Sequence, residues 1–220
     1  TGSGTSVTFS DKIGADNQIR NIQVAAGAEA IFGNIVDVTT LNIDNDVTFS
    51  ENNNVVGVGN AGAIDFAAAS IITIDDTIAA GETVLDVTTT TASSAGTVIT
   101  TSLFVNLPSN FTTGTITFLD DNTAQSVTDA ELLLISATDT ALTGYTVAHA
   151  NSKQDVTITA AAKTEAATAT ELGVTANDSR ALKQASLAIG AGGNAAAVDA
   201  LTNALNATNG FTATCLLYTS

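Results

Sequence analysis

Phe32, Phe49 and Phe66 recur 17 residues apart, each closing a similar three-residue run: Ala-Ile-Phe, Val-Thr-Phe and Ile-Asp-Phe. A fixed aromatic period asks for a structure in which like residues lie above one another. A parallel β-helix, a solenoid, does this, because each turn of chain sets an inward residue on its counterpart in the preceding turn and the residues form ladders. A β-sandwich is the alternative, since strands spaced about 8–12 residues apart give similar punctuation.

The local pattern supports strands from residue 6 to residue 162. Short apolar or β-branched runs occupy 7–9, 19–24, 30–32, 36–43, 47–49, 55–58, 63–66, 71–74, 83–90, 97–107, 115–119, 132–137, 145–149 and 156–161. The 37 threonines, with Val and Ile, suit a pleated surface because β-branched side chains are stiff and fit it. Turn residues separate the runs at Asp44-Asn45-Asp46, Glu51-Asn52-Asn53-Asn54, Gly59-Asn60, Asp75-Asp76 and Asp120-Asp121-Asn122. Asn at such turns can hydrogen-bond to successive backbones. Pro108 is the only proline, which fits a chain whose strands must all donate ladder hydrogen bonds, and it should mark an edge, a turn or an irregular coil.

Charge divides the chain. Residues 21–152 hold 15 acids and no Lys or Arg, and residues 1–150 carry −15 of the total −16. A polyanionic surface repels phosphates and anionic headgroups, so nucleic acid and lipid are not expected as partners; cations are the small partners the charge favours. Beyond residue 150 acids and bases nearly balance, and from Lys163 the pattern turns helical. Thr175-Ala176-Asn177-Asp178 offers an N-cap with an acid in the first turn, Leu182, Ala185 and Ile189 share a face, and Gly190 should stop the helix. A second helix is expected with Asn194 as cap, Val198, Leu201 and Leu205 on one face, and Asn209-Gly210 at its end. A third, weaker helix falls at 165–172.

No basic leader precedes an apolar run, and apolar runs such as Leu132-Leu133-Leu134-Ile135 fall far short of the roughly 20 residues of a membrane-spanning helix. The chain opens on Thr1 rather than Met, as expected of a fragment. Cys215-Leu216-Leu217-Tyr218-Thr219-Ser220 resembles the in-frame translation of a transposase sequencing adapter, and 215–220 is expected to be an artefact. The expected organisation is a β-helical fragment over 1–162, a helical linker over 163–214 and the adapter. The remainder is Cys-free, compatible with export to an oxidising compartment.

Phe32-Gly33-Asn34-Ile35, Thr40-Leu41-Asn42-Ile43, Val47-Thr48-Phe49 and Gly62-Ala63-Ile64-Asp65-Phe66-Ala67 resemble passenger repeats of Gram-negative autotransporters, with the closest likeness to rickettsial surface antigens. The Ala-, Leu- and Asn-rich stretch 177–210 is similar to the helical segment that joins such passengers to their translocator barrel. The resemblance implies a stalk or adhesin at the outer membrane or cell surface. Its partners would be its own C-terminal β-barrel and a host-cell or matrix ligand. It carries over no catalytic residue.

Candidate chemistry is sparse. His149 is the only histidine, and Ser152 and Asp155 are near it in sequence, but a Ser/His/Asp triad is a spatial arrangement. A strand-face or loop histidine is expected. The pairs Asp44/Asp46, Asp75/Asp76 and Asp120/Asp121 are of the type used by glycosidases or calcium sites, but no Trp is present to stack on a sugar, and neither EF-hand nor nonapeptide spacing occurs. Gly190-Ala191-Gly192-Gly193 lacks the Lys and preceding strand of a phosphate loop and reads as a helix connector. Sequons at Asn110 and Asn206 carry little meaning in the bacterial source that the resemblance implies. No catalytic, cofactor-binding or metal-ligating residue is expected. The alternatives are a surface-layer or calcium-dependent adhesin β-sandwich, and a secreted polysaccharide-active β-helix enzyme.

Overall fold

A computed structural model describes residues 5–14, 19–34, 36–50, 58–61, 63–75, 78–87, 96–121, 127–191 and 195–207. It is mainly β, with parallel sheets followed by helices. The strands are β1 (Thr5–Phe9), β2 (Ile19–Val24), β3 (Ala28–Phe32), β4 (Val38–Ile43), β5 (Val47–Ser50), β6 (Val58–Ala61), β7 (Ala63–Phe66) and β8 (Ser70–Asp75). They continue with β9 (Thr83–Val87), β10 (Gly96–Ile99), β11 (Leu103–Asn106), β12 (Gly114–Asp121), β13 (Ile135–Ala137), β14 (Thr143–Ala150) and β15 (Asp155–Ala162). The helices are α1 (Asp129–Leu132), α2 (Glu165–Leu172), α3 (Ala176–Ala191) and α4 (Ala195–Ala207).

The strands form a six-stranded sheet, β1-β3-β5-β8-β11-β13, a four-stranded sheet, β10-β7-β4-β2, and a five-stranded sheet, β14-β15-β12-β9-β6. From β4 to β12 the chain visits the four-, six- and five-stranded sheets in that order, three times over. Each strand therefore pairs in parallel with one from an earlier circuit rather than with its neighbour in sequence. Such crossovers need a dozen or more residues, which the intervening strands supply.

Parallel register stacks inward residues into buried columns. In the six-stranded sheet Ala30, Val47, Ile72 and Val105 follow one another, and beside them run Phe32, Phe49 and Ile74, with the exposed Phe9 at the open end of the column. Phe9 stacks on Phe32 at 5.5 Å between ring centroids, and Phe32 on Phe49 at 5.7 Å. In the four-stranded sheet Val24, Ile43, Phe66 and Ile99 form a second column. The 17-residue period therefore does not make one ladder. Phe32 and Phe49 are neighbours, but Phe66 belongs to another sheet, and the six-stranded column continues with Ile74. Insertions between strands change the circuit length while the register is kept.

Other expectations are corrected. The run 97–107 divides into β10 and β11, with 100–102 passing between sheets. The run 132–137 begins as helix, because Thr128 and Glu131 form a reciprocal capping box around α1, and only 135–137 is strand. Gly59 and Asn60 lie inside β6, and Asp120 and Asp121 inside β12, rather than in turns. Asn45 does stitch passes together as expected, its side-chain amide donating to Ala28 O at 2.6 Å. Pro108 follows β11 in a turn closed by Phe111 N–H to its carbonyl. The expected turns at 51–54 and 76, the cap Asn194, the end at 209–210 and residues 215–220 lie outside the described residues.

Two compact units are distinguished: one of residues 1–107, 114–138 and 146–159, and a second of 108–113, 139–145 and 160–220. The second has its own core of Ala141, Leu142, Leu172, Leu182 and Leu205, flanked by Val174 and Leu201. Thr164 caps α2, and left-handed Gly173 ends it. Thr175 and Asp178 exchange the hydrogen bonds of a capping box at the start of α3. On α3 Leu182 is buried but Ala185 is exposed, and the helix passes Gly190 to end at Ala191. Lys163 lies between Asp139 and Glu171 at 3.3 and 2.6 Å. Its carbonyl accepts from Lys183 Nζ. The Tyr145 hydroxyl donates to Phe111 O at 3.1 Å. Burial, then the Asp139 charge, pushes the Tyr145 pKa up to about 12 from 10.0.

Two outcomes follow from this packing. Phe49→Ala, enclosed between Phe32 and Ile74, should destabilise by roughly 3–5 kcal/mol, and Phe9→Ala, at the sheet edge, by about 0.5–1.5 kcal/mol; equal losses in urea denaturation would contradict the column. The folded state holds the Tyr145 proton to higher pH than the unfolded chain, so stability should fall as pH rises from 10 towards about 12. Tyr145→Phe should abolish that decline and cost about 1 kcal/mol at neutral pH. Tyrosinate absorbance and melting curves check both.

Candidate functional site

The unusual chemistry lies at the late end of the five-stranded sheet. Parallel register sets Asp86 of β9 beside Asp120 of β12. Asp155 of β15 meets Asp120 from the other side through a side-chain hydrogen bond. Thr115 and Thr159 share a hydrogen bond at 2.9 Å, while Asp121 N–H donates to Gln154 O at 3.1 Å. These contacts pair rising numbers on β12 with falling numbers on β15, so β15 runs antiparallel to β12. Four residues, 151–154, link β14 to β15, too few for a parallel crossover, and the two form a hairpin.

Asp86, Asp120 and Asp155 thus make a row of carboxylates across three adjacent strands. Burial raises the Asp120 pKa first, followed by the Asp155 and Asp86 charges.

His149, on β14, meets a different carboxylate from the one near it in sequence. Its Nε2 is 3.2 Å from Asp129 Oδ1, and Lys153 Nζ reaches the same oxygen at 2.7 Å. The His149 side chain is 16% exposed, and neither ring nitrogen makes a well-aligned hydrogen bond among the described residues. Lys153, first through its hydrogen bond and then its charge, holds the Asp129 carboxyl below the usual range, and His149 adds to this. Asn151, Ser152 and Lys153 are all left-handed, at φ 47, 58 and 73°. Three successive non-glycine residues there are strained. The turn is held by Val127 N–H on Lys153 O at 3.0 Å and by Gln154 N–H on Asn151 O at 3.2 Å. Ser152 sits on this exposed turn, and Asp155 engages Asn151 and Asp120. The three residues near in sequence do not assemble as a triad around His149.

The remaining acids point to structural bonds. Asp44 accepts from Gln23 Nε2 at 2.8 Å and Asp46 from Ile71 N–H at 2.9 Å, so the two side chains diverge to different passes. Asp75 ends β8. Asp121, 1% exposed, accepts from Thr97 N–H at 2.9 Å. Among the described residues no three His, Cys, Asp or Glu side chains converge as a metal site. Gly190 and Ala191 belong to α3, and no described helix is long and apolar enough to cross a membrane.

Sequence reasoning missed Asp129 as the partner of His149 and Asp155 as that of Asp120, because both pairings depend on how β12 and the hairpin meet. The capping box Thr128-Asp129-Ala130-Glu131 was a readable signal for α1. No protein-family model, curated protein or solved structure matches the chain.

Asp120 keeps its proton to higher pH when folded, so unfolding releases a proton in that window and the row costs stability above it. Asp120→Asn should raise Tm by about 1–2 °C at pH 7, the effect being limited by solvent screening. The gain should vanish near pH 3; an equal gain at both pH values would point to a cause other than charge.

Proposed function

We propose that this chain is part of an exported bacterial surface protein of the autotransporter kind. In this reading residues 1–162 are a β-helical stalk or adhesin whose parallel layers close in the antiparallel hairpin of β14 and β15, and the helical segment leads towards a translocator barrel. The supporting observation is the three-fold repeated visit to three sheets in parallel register, in which each circuit needs only the one before it. A chain emerging progressively from a pore can then add strands to a folded stub without waiting for distant partners, and each added layer opposes backsliding. Negative surface charge on those layers keeps the stack soluble and discourages edge-to-edge association.

The calcium-dependent β-sandwich receives less support, because sandwiches pair antiparallel strands and the paired strands from β1 to β13 are parallel. We assign no catalysis to the chain. Its partners in this reading are its own barrel and a ligand on a host cell or matrix.

The last layers, 97–162, would act as the folding nucleus, since they carry the closing hairpin and the carboxylate bonds. Deleting 97–162 from a chain displayed through a translocator barrel should leave 1–96 sensitive to a broad-specificity protease at the cell surface. Undiminished resistance would sink the nucleus. Failure of the intact chain to reach the surface with a barrel would sink the export reading itself.

A further inference from the structure

The parallel sheets end in different ways, and the ending of the four-stranded sheet is built from side chains. This sheet grows in chain order as β2, β4, β7 and β10, leaving β10 at its edge. Thr100 N–H, just past β10, donates to Phe66 O of β7 at 3.4 Å. In a strand alternate amides point to opposite sides, so Thr97 and Ile99 direct theirs away from β7, where a further strand would lie. Both amides are taken by carboxylates: Thr97 N–H by Asp121 Oδ2 at 2.9 Å and Ile99 N–H by Glu131 Oε1 at 3.4 Å.

One column in each of two sheets changes character at the same place, while Phe66 is still followed by Ile99. Leu41 and Ile64 are succeeded by Thr97, and in the five-stranded sheet Ala61 and Val87 are succeeded by Asp121. Apolar stacking thus gives way to a buried hydroxyl residue and a buried carboxylate. Glu131 is itself fixed, because its Oε2 accepts from Thr128 N–H and Oγ1, both at 2.8 Å.

We infer that Asp121 and Glu131 form a closing latch on the β10 edge, and that this latch prevents strand addition there by a second copy of the chain. A carboxylate supplies acceptors for the outward-pointing, buried amides but no donor to continue a ladder, so the sheet stops. The second copy is the relevant occupant because, once the latch is removed from both molecules, each β10 offers the other the same Thr97 and Ile99 amides together with carbonyls that can accept them. The latch does not depend on the export reading, only on the sheet order and these two bonds.

Amide hydrogen exchange and light scattering test it on the full chain. In the unmodified protein Thr97, Ile99 and the backbone-paired Thr100 should all exchange slowly; exchange of Thr97 or Ile99 at the rate of an unpaired amide overturns the latch without any variant being made. Glu131→Ala should speed Ile99 exchange at least tenfold and Asp121→Ala should do so for Thr97, with Thr100 unchanged. Asp121→Asn, which keeps an acceptor oxygen, should preserve Thr97 protection. The double alanine variant should dimerise at tens of micromolar, and adding Thr97→Pro, which removes the amide a strand would use, should restore the monomer. If the double variant is folded and stays monomeric, or if dimerisation survives Thr97→Pro, the inference fails.

Discussion

Everything else in the strand-rich unit depends on one requirement: each buried backbone amide must find an acceptor elsewhere in the chain, in most cases a carbonyl on a strand laid down in a different circuit. Unpaired buried amides are costly. The chain meets this by returning to each sheet in register, so that Phe49 lies on Phe32 and Phe66 on Ile43 despite unequal intervening lengths. Register is held because a one-residue slip would turn an entire apolar face outward. Asn45 and Asp46, bonded to Ala28 O and Ile71 N–H, secure the same alignment from the turn.

The unequal distribution of charge is laid onto the same geometry. Parallel register sets most strand acids beside neutral residues, Asp65 beside Asn42 and Glu29 beside Ser6, and brings two together at Asp86 and Asp120. Where the chain abandons parallel stacking, cations return. Lys153 answers Asp129 beside the hairpin turn, and Lys163 and Arg180 answer Asp139, Glu171 and Glu165 in the second unit. Arg180 pairs with Glu165 through three hydrogen bonds and holds that carboxyl below its ordinary range.

Strand existence was legible because alternation and β-branching are local: β2 and β7 lie where the residue pattern put them. Thr175 as a cap and Val198, Leu201 and Leu205 as a face were legible for the same reason. Sheet membership was not, since Phe66 looks like Phe32 and Phe49 in its own segment and differs only in which earlier strand it meets. Asp120-Asp121 read as a turn because paired aspartates usually do. Only the late layer, where an inward carboxylate finds the Thr97 amide, makes them strand residues. The segments 108–113 and 139–145 belong with the helices through the Tyr145 bond to Phe111 O and the Leu142 contact in the helical core, neither of which has a local signature.

The cation-free strands have a consequence for how the protein is degraded. Proteases that cut after lysine or arginine find no bond to hydrolyse between Arg20 and Lys153, whether the sheets are intact or melted. Tryptic attack is confined to the margins of the stack and to the helical unit, and it would release the central layers as one uninterrupted piece.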